Sequence, residues 1–428
     1  MTRSFACEEL QKAWVLIESC GYRRLYEHLC ETTKDQPDAT LEDLQPLYQA
    51  VAHGCQAGLQ QEAMRQTFLA RIERGDVRYA MKKLGAFGSN LGAFASFFDS
   101  PWGTVLQTLA KEERAFLFGA VAFHLRALGR LTEALEPMRA GLKSRVEEEE
   151  YWVGAAIDAS NLSELELALG EVAGAVGDAE QSVTYADRSG DAFMKMALRT
   201  THADALHQAG RRAEAQTPFR EAEQMQAERQ PDYPLLYSVQ GFQYCDLLLA
   251  APERAAWHTI LGRAELSLRL SASSSSPATP AAQQRSPTDD GFDTARRELD
   301  AAVDGLRRAG TTHHIPRGLL TRAWLRFLTG ACTGPESAQS DLDEAWEIAE
   351  RNPMRLFLAD IHLHRARLFA RSGGVISNQL SVISGEKYPW ESPAADLAAA
   401  RKLIEQCKYW RRKEELEDAE DAAQSWKE

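Results

Sequence analysis

An all-α fold of stacked antiparallel helix hairpins is what this 428-residue sequence predicts, on three observations. The first is a recurrence: Ala120–Ala134, Asn161–Ala175 and Thr201–Ala215 share one pattern. Each places a small residue (Ala122, Ser163, Ala203) seven positions before a glycine (Gly129, Gly170, Gly210) and an alanine (Ala134, Ala175, Ala215) five positions after it. The glycines lie 41 and 40 residues apart. The second is that helical spacing of apolar residues runs through most of the remaining chain, and the third is that no segment alternates with the period of two of a half-buried strand. Physically, each glycine ends a first helix in a left-handed turn, and the small residues let the two helices of the hairpin approach closely.

Taken in chain order, helical periodicity runs over Cys7–Cys30, and Leu47–Arg71 repeats the hairpin spacing around Gly58 and Ala63. Lys111–Arg126 opens the central repeats, and Tyr237–Leu249 follows them. Ser271–Pro287, rich in Ser and Pro, is expected to be a flexible linker, because such a composition buries too little apolar area to offset ordering. Beyond it come Thr294–Arg308, a hairpin over Ile315–Glu350 through Gly330, Met354–Arg371 and Ala394–Gln424. In Val375–Ser384 the tripeptide Val-Ile-Ser recurs after seven residues, which predicts a short duplicated insertion in a hairpin loop. The expected domains are thus a degenerate N-terminal region (1–110), central repeats (111–270), the linker (271–290) and C-terminal repeats (291–428) with a loop insertion at 373–392.

The small residue, Leu-Gly turn and alanine at fixed offsets resemble the tetratricopeptide repeat, with a period longer than its usual ~34 residues. More narrowly, Leu131–Leu142, Asp178–Gly190 and Leu319–Gly330 look like the repeat region that follows the NTPase in bacterial NACHT-type STAND proteins, over about Leu41 to Ala423. The resemblance implies a tetratricopeptide-like α-solenoid acting as a scaffold, or as the sensing or autoinhibitory arm of a signalling switch, here without its ATPase. It also implies that the first helix of each hairpin lines a groove, with residues six and three positions before the turn glycine touching the ligand. Those positions are Phe123 and Arg126, Glu164 and Leu167, Asp204 and His207. They lack the Lys and Asn with which chaperone-binding members clamp a peptide carboxylate, which disfavours that partnership.

Other chemistries find little support. Forty-nine Lys and Arg against 62 Asp and Glu leave a net charge of −13, which repels duplex nucleic acid in the absence of a basic stripe. No apolar run reaches the ~18 residues of a membrane helix, and no signal peptide is legible, so a cytoplasmic protein is expected. The seven cysteines are odd in number, scattered and without a CxxC pair, so they read as small buried hydrophobes. A P-loop is absent; Gly85–Gly92 is glycine-rich, but no strand precedes it, and it reads as a connection between helices. His362 and His364, two apart on a helix, point away from each other and cannot share a metal. Glu147–Glu150 and the acids from Glu414 to Asp421 read as solvated helix faces, with Arg411 pairing Glu415 at i,i+4.

These observations predict a non-catalytic module without cofactor or metal that binds a protein or peptide partner. The alternative is a regulatory domain holding a small ligand through Arg126 and His207. An enzyme using Asp204 and His207, three apart on one helix face, lacks an accompanying nucleophile, metal or oxyanion donor set.

Overall fold

The computed structural model describes residues 18–149, 151–260, 289–309, 314–351, 354–369 and 388–424. Among these residues the secondary structure is helical, apart from one isolated antiparallel bridge between Phe98 and Val105. Cys7, the Ser/Pro-rich linker and the Val-Ile-Ser duplication lie outside the described residues. The chain divides into two compact units, Met1–Asp158 and Ala159–Glu428. That division falls inside one helix. Arg145 Nε donates to Asp158 at 2.7 Å on the first-unit side. On the other side Ser160 bonds to Thr201 at 3.2 Å and Ser163 to the Ala175 carbonyl at 2.7 Å.

In the first unit, helix α1 (18–32) precedes the hairpin of α2 (Leu41–Gln56) and α3 (Gln60–Glu62), which continues as a π-helical stretch, Ala63–Ile72. Thr40 and Asp43 cap α2 reciprocally, each side chain accepting from the other's main-chain N–H. Short helices α4 (Tyr79–Lys82) and α5 (Phe87–Ala95) lead to the hairpin of α6 (Lys111–Ala127) and α7 (Leu131–Ser144). The glycine-rich Gly85–Gly92 is therefore mostly helix, not a connection. Only Gly85 takes a left-handed conformation, at φ 61°, just before α5.

A buried polar network ties these elements together. Asn90 accepts from the Tyr48 hydroxyl at 2.6 Å and donates to Glu73 at 2.6 Å, and its amide nitrogen lies 3.1 Å from His124 Nε2. His124 Nδ1 is 2.7 Å from the Ala120 carbonyl, which can only accept, so the proton sits on Nδ1 and Nε2 accepts from Asn90. Burial among Phe87, Phe94 and Phe123 drives the His124 imidazole down to about 4, which keeps it neutral. With every member bonded, the network fixes one packing of α2, α5 and α6.

The second unit is a series of hairpins: α8 (Trp152–Leu169, from Ala159 onward) with α9 (Val172–Ser189), then α10 (Ala192–Gln208) with α11 (Arg212–Arg229). There follow α12 (Ser238–Ile260) with α13 (Asp289–Ala309), and α14 (Ile315–Leu328) with α15 (Ala338–Arg351). The last pair is α16 (Arg355–Phe369) with α17 (Pro393–Cys407), after which a 3-10 turn, Trp410–Arg412, opens α18 (Lys413–Ala423). The expected helix over Ala394–Gln424 is thus broken. Lys408 adopts a left-handed conformation at φ 56°, which redirects the chain.

The hairpin turns share one geometry. Gly58, Gly129, Gly170, Gly210 and Gly330 all have positive φ, between 74° and 84°. In each, the N–H one residue after the glycine bonds the carbonyl five residues back, as in Arg130 to Leu125 (2.9 Å), Glu171 to Glu166 (2.8 Å) and Arg211 to Leu206 (2.9 Å). This closing bond satisfies a carbonyl that the helix end leaves open. The small positions flanking these turns, Ala122, Ala134, Ser163, Ala175, Ala203 and Ala215, expose 0% of their surface. They are where the paired helices touch, so a larger side chain there would overpack at about 1–3 kcal/mol.

The two substitutions Gly210→Ala and Gly170→Ala separate backbone strain from packing. A Cβ at Gly210 meets nothing within 4 Å, whereas one at Gly170 comes to 3.1 Å from the Trp410 Cβ. Gly210→Ala should lower stability by about 1 kcal/mol, the cost of a left-handed L residue, and Gly170→Ala by more. Urea-unfolding midpoints check this, and equal losses would contradict it.

Candidate functional site

The first helices of the second-unit hairpins carry polar stripes at helical spacing. Asp204 and His207 lie on α10, Asp246, Glu253 and Trp257 on α12, Arg317, Thr321 and Trp324 on α14, and Asp360, His364 and Arg367 on α16. Positions three, four, seven and eleven apart fall on one side of a helix, so each set presents a single stripe. The stripes face one another. Arg317 of α14 donates to Asp204 of α10 at 3.0 Å, and the Thr321 hydroxyl donates to Asp246 of α12 at 2.5 Å. Arg367 lies between two tryptophan rings, 4.9 Å from Trp257 and 5.1 Å from Trp324, a cation–π arrangement that holds the guanidinium in place.

The segment after Lys408 enters this shared face. Arg411 approaches Asp204 at 3.9 Å, Arg412 Nε donates to Asp360 at 2.8 Å, and the Tyr409 hydroxyl donates to Asp360 at 3.1 Å. Glu415 pairs with Arg412 at 2.9 Å and Arg367 at 3.7 Å, and Asp418 accepts from Trp257 Nε1 at 2.8 Å. The expected Arg411–Glu415 pair is replaced by Arg412–Glu415 at i,i+3. Because α18 begins only at Lys413, Arg411 lies in the 3-10 turn and points to α10 instead.

Asp204 is 1% exposed and holds its charge. Burial alone raises its carboxyl, but Arg317, Arg411 and His207 together bring it below its ordinary value. Burial lowers the His207 imidazole, opposed by Asp204, and its Nδ1 has no hydrogen-bond partner among the described residues. Arg411 Nε is likewise buried and unpartnered. Glu253 behaves in the opposite sense: burial and the neighbouring Asp246 push its carboxyl up to about 8. The face therefore mixes fixed charges with a carboxyl that is protonated at neutral pH. Among the described residues, no group of His, Cys, Asp and Glu is arranged to hold a metal ion. Cys55, Cys245, Cys332 and Cys407 are buried, whereas Cys20 is exposed.

Of the six residues the sequence singles out, Asp204 and His207 lie together on this face, and Glu164 is close enough to Arg317 to raise its guanidinium. Leu167 does not line an open surface. It packs with Ala175, Ala179 and Ala205 in the core between hairpins, whereas His207, at the same offset from its own turn glycine, reaches the shared face. Phe123 and Arg126 belong to the first unit, where Phe123 is half-buried against Phe87 and the Arg126 guanidinium lies 5.5 Å from its ring. The turn-glycine rule misses Asp246, Arg317, Asp360, Arg367, Arg411 and Arg412. A search for charged or titratable residues at i, i+4 and i+7 would have found the α16 stripe of Asp360, His364 and Arg367, while the α14 stripe carries a single charge and the return of the C-terminal segment leaves no sequence signal. In comparisons with known proteins, the chain matches no family model, no curated protein and no solved structure.

The Asp204–Arg317 pair should be a strong coupling. Asp204→Asn strands the Arg317 guanidinium and should cost on the order of 2 kcal/mol, below the range for a fully buried pair because Arg317 keeps some solvent access. Adding Arg317→Gln should recover part of that loss. A double-mutant cycle in urea measures it, and strictly additive losses would refute the coupling.

Proposed function

We infer that this chain is a non-catalytic protein–protein interaction module. It is a tetratricopeptide-like scaffold, or the sensor arm of a bacterial signalling system, akin to the repeat region of NACHT-type STAND proteins. It works in the cytoplasm and uses the shared face of its second unit to hold a protein or peptide segment. The observation that carries this reading is the set of facing polar stripes on successive first helices, with Asp204 at its centre. Repeat arrays use such surfaces to bind extended partners. A face with fixed charges of both signs, aromatic rings and a partnerless imidazole nitrogen suits a peptide carrying charged and aromatic side chains.

One observation favours a second reading, a small acidic ligand held in place of a peptide. His207 Nδ1 and Arg411 Nε are buried without partners, close to Arg254 and Arg317. Of the two anchors expected from sequence, His207 alone lies in this unit.

Affinity capture from native cytosol with the tagged full-length chain tests the interaction reading, with a Glu164→Arg plus His207→Glu variant as control. A partner recovered by the wild type should fall at least ten-fold with the variant while the thermal melt stays cooperative. Equal recovery places the contact elsewhere, and an empty capture favours the small ligand.

A further inference from the structure

We propose that Tyr409–Asp418 is a ligand of the chain's own second unit, and that the outside partner for that face is a peptide of the same chemistry: an aromatic residue, two arginines and then an acidic helical turn. The proposal rests on the interaction reading above and names the partner for that face.

The contacts of this segment are those of a ligand more than of a terminal cap. In a repeat array each unit touches its neighbours, and a cap touches the last unit only. Here Trp410 lies against the Gly170 turn at the end of α8, with its Cβ 3.1 Å from where a Cβ on that glycine would stand. Arg411 reaches Asp204 on α10, Asp418 reaches Trp257 on α12, and Arg412 reaches Asp360 on α16. Ten residues thus touch four hairpins, the first of which begins some 250 positions upstream. The charges of the segment meet opposite or hydrogen-bonding groups on the face, with Asp204 shared between Arg411 and Arg317 and Asp360 between Arg412 and Tyr409. Two carboxylates take two guanidiniums, Arg367 takes Glu415, and an indole N–H takes Asp418.

The same contacts make the segment displaceable. Its apolar anchoring is small: Tyr409, 6% exposed, and Leu416, backed by Ala419 and Ala422 further along α18. The side chains of Arg411, Arg412 and Glu415 keep 15%, 19% and 35% of their surface, so water and salt have access to part of these ion pairs. The left-handed Lys408 separates the segment from α17, which is anchored independently by Leu397, Ala400, Ile404 and Cys407. A free peptide with the same order of charges meets the same receptors, and a face already filled by its own chain admits such a partner only in competition.

The test uses the full chain and a fluorescent synthetic peptide of residues 407–424 as probe, read by polarisation. A variant carrying Arg411→Glu and Arg412→Glu weakens the internal ligand and should bind the peptide at least ten-fold more tightly than the wild type. Adding Asp360→Asn to that variant should weaken binding several-fold, and a peptide with both arginines reversed to glutamate should not bind. A folded double variant that fails to take up the peptide overturns the proposal, as does a wild type that binds equally well. Should the double variant not fold, Arg412→Ala alone is judged by the same comparison. Peptide uptake with no protein captured from cytosol retains the internal ligand and removes the interaction reading; the opposite pair of results does the reverse.

Discussion

The left-handed glycine turn that closes five of the hairpins, at Gly58, Gly129, Gly170, Gly210 and Gly330, is the constraint on which the rest depends. A bond from the residue after the glycine to the carbonyl five positions back reverses the chain within two residues, and only a positive φ permits it. Reversal that tight forces the second helix against the first. Small residues must therefore sit at the meeting points, which is why Ala122, Ser163 and Ala203 face Ala134, Ala175 and Ala215 with no exposed surface. Once hairpins form in this way, their first helices stand side by side in the second unit, and residues at helical spacing become stripes that face one another. The charged face is a consequence of the turn. Lys408 marks the exception, because there an L residue adopts the strained conformation and the chain leaves the regular pattern.

Charge is used differently within and between hairpins. Inside the α14–α15 hairpin, Arg322 grips Asp341 through Nε and Nη2, at 3.1 and 2.7 Å, and Arg326 adds a third contact at 2.9 Å. Nearby, the Arg365 guanidinium lies 4.5 Å from the ring centroids of both Trp346 and Trp390. Such buried pairs add little net stability after desolvation, but they penalise any other register because a lone charge would be stranded. Between hairpins, Asp204 with Arg317 and Asp360 with Arg412 do the same at longer sequence range, and they set which surfaces the stripes can accept. Glu415 shows how strong the local field is: even with part of its surface buried, which raises its carboxyl, Arg412 and Arg367 hold it at about 2.

Much of the helical framework was legible in the sequence, and for a physical reason. Glycines at 129, 170 and 210, each with its two small companions, leave a local signature because the turn and the close contact are both decided within about a dozen residues. Leu167 was misjudged because offset from the glycine does not by itself say which side of a helix meets a neighbour. The break at Lys408 was missed because the helical spacing of apolar residues continues across it and nothing in the side chain announces a left-handed residue. The partners of Asp204 were invisible for another reason: Arg317 and Arg411 lie more than a hundred positions away, and only the packed hairpins bring them together. The Tyr48–Asn90–Glu73–His124 network was hidden in the same way.

The most direct test of this account is amide hydrogen exchange on the full-length chain at low and high salt. At low salt, the amides of 410–423 should be protected, and roughly 1 M salt should raise their exchange by an order of magnitude or more while those of α10 and α16 stay slow, since charge holds the segment to the face. Exchange of 410–423 at free-peptide rates under low salt, or protection that salt leaves untouched, would contradict a face that is filled electrostatically by its own C-terminal segment.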